Sequence, residues 1–158
     1  VDVFGQMDCD FSHPPEKLLE MLAMLQGCDV VIGSRYVPGG SVDVRWPLWR
    51  RSLSAFGNFY ARTILGLPLR DVTGGFRLYK RHVLERLPLE RVRSNGYAFQ
   101  VEMAYLLQRM GFTWREVPIY FADRQVGHSK MSLRVKLDGM VGLLRVWQLH
   151  HTIRPPGR

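Results

Sequence analysis

The sequence predicts an α/β protein, and three observations predict it. Val1 to Met7 is a short extended run that stops at two aspartates. Asp29 to Gly33 (DVVIG) is a β-branched apolar run of the kind that fills a buried parallel strand. Between them, an amphipathic stretch opens on two prolines. Strand, helix and strand within about 30 residues make a βαβ unit, whose functional loops lie at the carboxyl ends of its strands.

Pro14 and Pro15 start the first helix, with Ser12 or His13 at its cap. Leu18, Leu22 and Leu25, with Leu19 and Met21, form its apolar face, and Gly27 closes it. Pro38, Gly39 and Gly40 open a loop that runs to Pro47. A helix is expected from Leu48 to Leu65, with Leu53, Phe56, Phe59, Tyr60 and Ile64 turned inward and Gly66 at its end. Asp71 to Gly75 reads as a turn into a strand, Phe76 to Tyr79. A further amphipathic helix covers Ala98 to Met110, capped by Gly111. The strand Thr113 to Phe121 contains Pro118, which suits an edge or irregular position. Ala122 to Met131 is a polar loop, and a last amphipathic helix runs from Ser132 to about His150.

The 158 residues suffice for one core. Twenty-two Lys and Arg against fourteen Asp and Glu give a formal charge of +8 and a pI near 10.0. That balance calls for an anionic partner, whether phosphates, nucleic acid or an acidic membrane face. Cys9 and Cys28 have no spacing suited to zinc, and both are expected as buried thiols in a reducing cytosol. The longest apolar run, Gly139 to Leu144, is closed by Arg145, far short of a membrane span. The chain opens on Val1 in mid-strand, so the expectation is a fragment that lacks an N-terminal part.

Asp8 and Asp10 stand at i and i+2 in an extended segment, so their carboxylates point the same way and can share one hard divalent cation. Asp-x-Asp alone is a common string and equally fits a solvated turn. Arg35 lies just past the carboxyl end of a strand, where open α/β sheets bind ligands. Arg50 and Ser54 lie four apart on one helix face and can grip a single phosphate, although for Arg50 and Arg51 a solvated basic helix start fits too. Gln100 and Glu102 lie near a helix start, beside a ligand or simply favoured by the helix dipole. His13 is expected to cap or pack, and His82, His150 and His151 to lie on the surface.

Six blocks occur in order: MDCDFSHPPE, DVVIGSRYVPGG, WPLWRRSLSAFGN, DVTGGFRLY, GYAFQVE and VPIYFADRQVGHSK. In this order the chain resembles glycosyltransferase family 2, and within it the polyprenol (dolichol) monophosphate mannose synthases. The resemblance spans Met7 to Ser132. It implies the C-terminal part of a GT-A fold, a mixed sheet flanked by helices, with residues 1–131 in the catalytic domain and 132–158 as an amphipathic helix and tail. It also implies inverting transfer of mannose from GDP-mannose to a polyprenyl phosphate, with Mg2+ or Mn2+ held by Asp8 and Asp10. The implied donor-binding set is Asp8, Asp10, Gln100, Glu102, Arg124 and Lys130, with Ser129 in the same mobile segment. Arg35, Arg50 and Ser54 would line the acceptor-phosphate site, with Arg51 and Asn58 in support. Asp10, Arg35 and Arg124 would carry the catalytic work. Asp71, Gly75, Phe76 and Arg77 match the family's turn, where Asp71 either pairs with a nearby arginine or touches substrate. His128 stands where the family pattern leads one to expect Glu or Ala.

Two alternatives are weighed. One is a sister enzyme that moves glucose or an amino sugar to the same lipid phosphate. The other is a nucleic-acid-binding module, motivated by charge and the Arg45 to Arg51 stretch, but it has no recognisable recognition element and leaves Asp8 and Asp10 unexplained. The expected partners are therefore GDP-mannose, polyprenyl phosphate and a membrane surface, without nucleic acid. The expected location is peripheral, on the cytoplasmic face. Membrane contact is assigned to the Trp46 to Arg51 stretch in preference to the Met140, Leu144 and Trp147 face of the last helix.

Overall fold

A computed structural model describes residues 2–123 and 133–153, the side chains of 133–141 excepted. Its strands are β1 (Val3–Gln6), β2 (Val30–Ser34), β3 (Ser41–Val42), β4 (Arg77–Lys80), β5 (Trp114–Pro118) and β6 (Tyr120–Phe121). Its helices are α1 (Leu18–Leu25), α2 (Leu48–Leu65), α3 (Arg81–Arg86), α4 (Gly96–Arg109) and α5 (Leu133–His150).

Among the described residues the main sheet has the order β1-β4-β2-β5. β4 runs antiparallel to both β1 and β2, and β2 runs parallel to β5, so the sheet is mixed. β1 and β2 are therefore parallel, as the strand-helix-strand reading requires, but β4 lies between them. The expected strand Thr113 to Phe121 divides at Ile119. β5 takes the sheet edge that Pro118 suggested, and β6 pairs with β3 in a separate parallel ribbon. Gly40 makes this possible, because a Cβ there would lie 2.5 Å from the Ser34 carbonyl oxygen.

Side-chain alternation gives the sheet two cores. Val31, Leu78 and Val117 meet Met21 and Leu25 of α1 on one face. Val30, Ile32 and Tyr79 meet Ala61 and Leu65 of α2, Leu106 and Leu107 of α4, and Leu143 and Val146 of α5 on the other.

Several expected faces are corrected. In α2 the buried residues are Asn58, Ala61 and Leu65, whereas Phe56, Phe59 and Ile64 are exposed. Its large apolar residues Leu48, Trp49, Phe56, Phe59 and Ile64 share the exposed side, and the helix packs by the side that carries Asn58, Ala61 and Leu65. In α1, Met21 and Leu25 are buried, but Leu19 and Leu22 are exposed. Ser12 and His13 do not cap it, since a 3-10 turn, Pro15–Lys17, intervenes with Pro14 at its cap. His150 is fully buried rather than superficial. Cys28 is buried, while Cys9 is exposed.

Candidate active site

β1 and β2 end at the same end of the sheet, and β4, running the other way, begins there. The loops after β1 and β2 and the turn before β4 therefore converge. The loop after β1 carries Asp8, which is exposed, and Asp10, which is half-buried. The backbone N–H and hydroxyl of Ser12 both donate to Asp10 Oδ1. Phe11, between them, has φ 62° and is 69% exposed. The left-handed region costs a non-glycine residue about 1 kcal/mol. His13, 2% exposed, accepts the Asp8 N–H on Nδ1 at 2.9 Å and stacks on Phe76 at 5.1 Å. Burial lowers its pKa, against the pull of Asp8 and Asp10.

Gly75 faces this loop. A Cβ there would come 3.4 Å from Gln100 Nε2, 3.7 Å from Asp8 Oδ1 and 3.8 Å from His13 Cε1, so these groups share one small space. Gln100 Oε1 is buried without a hydrogen-bond partner among the described residues, as befits a group that meets a ligand. Asp8 and Asp10 offer the oxygen donors that Mg2+ or Mn2+ prefers. Among the described residues no group of three or more His, Cys, Asp or Glu stands ready for a metal. The pair therefore fits a cation whose remaining oxygens come from a ligand's phosphates and water.

Behind this space, Arg35 is 6% exposed. Its Nε and Nη2 donate to the two oxygens of Asp71, and Nη2 also donates to Thr73 Oγ1 at 2.7 Å. Of the two roles open to Asp71, the structure shows the pairing with arginine. Any phosphate contact of Arg35 has to share the guanidinium with Asp71. Burial alone would raise the Asp71 pKa, but Arg35 brings it below the ordinary value. Asn58 and Glu116 fix the same turn: Asn58 bonds the Arg70 carbonyl and the Val72 N–H, and Glu116 accepts from the Arg70 and Asp71 N–H groups.

The basic side of the site is the start of α2. Arg50 donates to Asp123 Oδ1 at 3.0 Å and lies over the Trp46 ring, 3.8 Å from its centroid. Ser54 Oγ is 2.7 Å from Tyr36 Oη, which links the start of α2 to the residue after Arg35. Burial raises the Tyr36 pKa, so the phenol keeps its proton.

Glu102 is corrected. Gln100 faces Gly75, but a residue two places on points to the opposite side of a helix. Glu102, fully buried, accepts from the Arg93 and Ser94 N–H groups and bonds His150 Nε2 at 2.7 Å. It fastens α4 to α5. Trp46 is corrected too: at 6% exposure it packs on Phe121 and donates to Asp123, so it is not a membrane anchor. Arg124, Ser129 and Lys130 lie outside the described residues.

A family model for glycosyl transferase family 2 matches residues 1–88. The chain belongs to glycosyltransferase family 2. Its α/β sheet flanked by helices agrees with the GT-A fold implied by the six blocks. This family 2 chain is 43% identical over 148 residues to an undecaprenyl-phosphate mannosyltransferase of Micrococcus luteus, covering 94% of this chain and 60% of that protein. It is 47% identical over 131 residues to a polyprenol monophosphomannose synthase of Mycolicibacterium smegmatis, covering 82% of this chain and 49% of that protein. The family 2 chain thus spans 49% to 60% of the length of these relatives.

Sequence reasoning about the family 2 site missed Tyr36, Thr73 and Asp123. Tyr36 adjoins Arg35 in the GSRYVPGG block, and Asp123 is an acid in a basic loop. Both were visible, but their partners lie 18 and 73 residues away.

Proposed function

We propose that the enzyme carrying this chain transfers mannose from GDP-mannose to a polyprenyl phosphate, with inversion at the anomeric carbon. What supports this reading is that the turn carrying Asp8 and Asp10 follows β1 at the end of the sheet where β2 also ends, and that Tyr36, just past β2, bonds Ser54 near the start of α2. The names of the two mannosyltransferase relatives support the sugar and the lipid phosphate.

In this reading Asp8 and Asp10 hold Mg2+ or Mn2+, which supplies neutralising charge at the leaving diphosphate. Gln100 accepts from a sugar hydroxyl. Arg124 and Lys130 complete the donor set. Arg50 and Ser54 hold the acceptor phosphate, and Arg35 braces the turn beside it. A phosphate oxygen forms the new bond to the anomeric carbon, and the bond to the diphosphate breaks with its electron pair leaving on GDP. The nucleophile is already anionic, so no side chain has to remove a proton. Catalysis rests on positioning and on charge.

The enzyme works peripherally at the cytoplasmic face of a membrane. Exposed Trp49, Phe56 and Phe59 on α2, with Arg51, suit a headgroup layer. Among the described residues no helix is long and apolar enough to cross a bilayer. The deciding experiment supplies the enzyme with polyprenyl phosphate and radiolabelled GDP-mannose or UDP-glucose in parallel. Lipid-extractable label from GDP-mannose is expected. Label from UDP-glucose alone would move the assignment to the sister sugar.

A further inference from the structure

We infer that Asp123 is a positioning residue that fixes the Arg50 guanidinium in the acceptor-phosphate grip and ties that grip to the acidic turn. The inference rests on the proposed reading of Arg50 as a phosphate ligand.

Arg50 lies in the first turn of α2, with its side chain 30% exposed. An arginine so placed has many rotamers, and ordering it at the moment of binding costs affinity. Asp123 removes much of that freedom in advance. Its Oδ1 accepts from Arg50 Nη1 at 3.0 Å and from Trp46 Nε1 at 3.1 Å, so one oxygen orients both the cation and the ring beneath it. Arg carries five N–H donors, so a bond through Nη1 is compatible with a two-point bond from the same side chain to phosphate.

The backbone leading into Asp123 is itself held by two hydrogen bonds. The Asp123 N–H donates to Asp43 Oδ2 at 2.9 Å, and Asp43 is 2% exposed and clasped by Arg45. One residue earlier, the Ala122 N–H donates to the Ser12 carbonyl at 3.2 Å. Ser12 in turn bonds Asp10. A continuous strut thus runs from Asp10 through Ser12 and Ala122 to Asp123 and Arg50. It sets the separation of the two phosphate-binding places, on which the rate of a displacement between two bound anions depends.

Asp123 also brings a negative charge near an anionic ligand, and simple repulsion would have the opposite effect on acceptor binding. Kinetics of D123A, D123N and R50A in the enzyme carrying this chain separate the two, read as KM for polyprenyl phosphate, KM for GDP-mannose and melting temperature. For D123A, the acceptor KM is expected to rise about tenfold with the donor KM unchanged. D123N keeps an accepting oxygen and should restore most of the loss. Should D123A melt early, D123N decides alone: a rise in acceptor KM of about threefold, confined to the acceptor, supports positioning. A fall in acceptor KM for either variant, no change in either, or an equal rise in both KM values overturns the inference. If R50A itself leaves the acceptor KM unchanged, the acceptor reading fails and takes this inference with it. If R50A raises it and the Asp123 variants do not, this inference alone fails.

Discussion

Arg35 and Asp71 form a two-point ion pair, Nε to Oδ2 and Nη2 to Oδ1, each at 2.8 Å, with Asp71 fully buried. Asp71 also accepts the Arg35 and Gly74 N–H groups, so one carboxylate ties the end of β2 to the turn before β4. Removing the arginine would strand that carboxylate. Arg35→Ala is therefore expected to cost about 3 kcal/mol of stability in denaturant titration. Arg35→Lys should recover only part, because an ammonium cannot reproduce the fork. Unchanged stability in Arg35→Ala would leave phosphate contact as the main role of Arg35.

The acidic turn should behave as a metal site. Asp10→Ala is expected to abolish transfer with the melting temperature within a few degrees of the parent, and Asp8→Ala to do the same. Titration of Mn2+ against the folded variants, followed by electron paramagnetic resonance, should show lost binding in the presence of GDP. Full activity of the parent enzyme in EDTA would refute the assignment.

Gln100 and Glu102 should separate cleanly. Gln100→Ala is expected to lower kcat/KM for GDP-mannose about tenfold, one hydrogen bond's worth, without change in melting. Glu102→Ala should instead destabilise by about 3 kcal/mol, since it strands His150 and two backbone N–H groups. Equal effects of both variants on donor kinetics would return Glu102 to the donor site.

Glu102 also sets a pH dependence. Burial would raise its pKa, but hydrogen bonds from His150, Ser94 and Arg93 bring it below the ordinary value. As pH falls through the ordinary carboxylate range, the unfolded chain therefore takes up this proton before the folded one does. Its contribution is complete at neutral pH and is lost as pH falls through the folded value. Chemical denaturation between neutral pH and pH of about 3 should show a shallower acid loss for Glu102→Gln than for the parent. Identical slopes would show that Glu102 does not contribute.

The two tryptophans of the WPLWRR block should also part company. Trp49→Ser, at 64% exposure, is expected to weaken binding to anionic liposomes and to slow turnover on long-chain acceptors. A short, water-soluble prenyl phosphate should be used as before. Trp46→Ser should act on the fold, at about 3 kcal/mol, because its buried ring underlies Arg50. Liposome binding unaffected by Trp49→Ser would remove α2 from the membrane face.

What the sequence disclosed and what it withheld follow from the range of the interactions. β2 was legible because all five of its residues are buried and its run of apolar residues is unbroken. The convergence of Asp8 with Gln100 followed from the six blocks. The inward side of α2 was misread, since its large apolar stripe faces out and the side with Asn58, Ala61 and Leu65 packs inward. The burial of Trp46 depends on Asp123, 77 residues away, and that of His150 on Glu102, 48 residues away. No local pattern contains those pairs.

The placement of β4 between β1 and β2 has a consequence for how the chain is made. β1 is made before its partner in this sheet, β4, which is not complete until Lys80 has been synthesised. In the finished sheet β1 and β2 do not pair with each other, because β4 lies between them. The hydrogen-bonding edge of β1 that β4 will occupy is therefore open through the synthesis of α1, β2 and α2. Nascent chains stalled before Arg77 should engage holdase chaperones, and chains stalled well beyond Lys80 should release them.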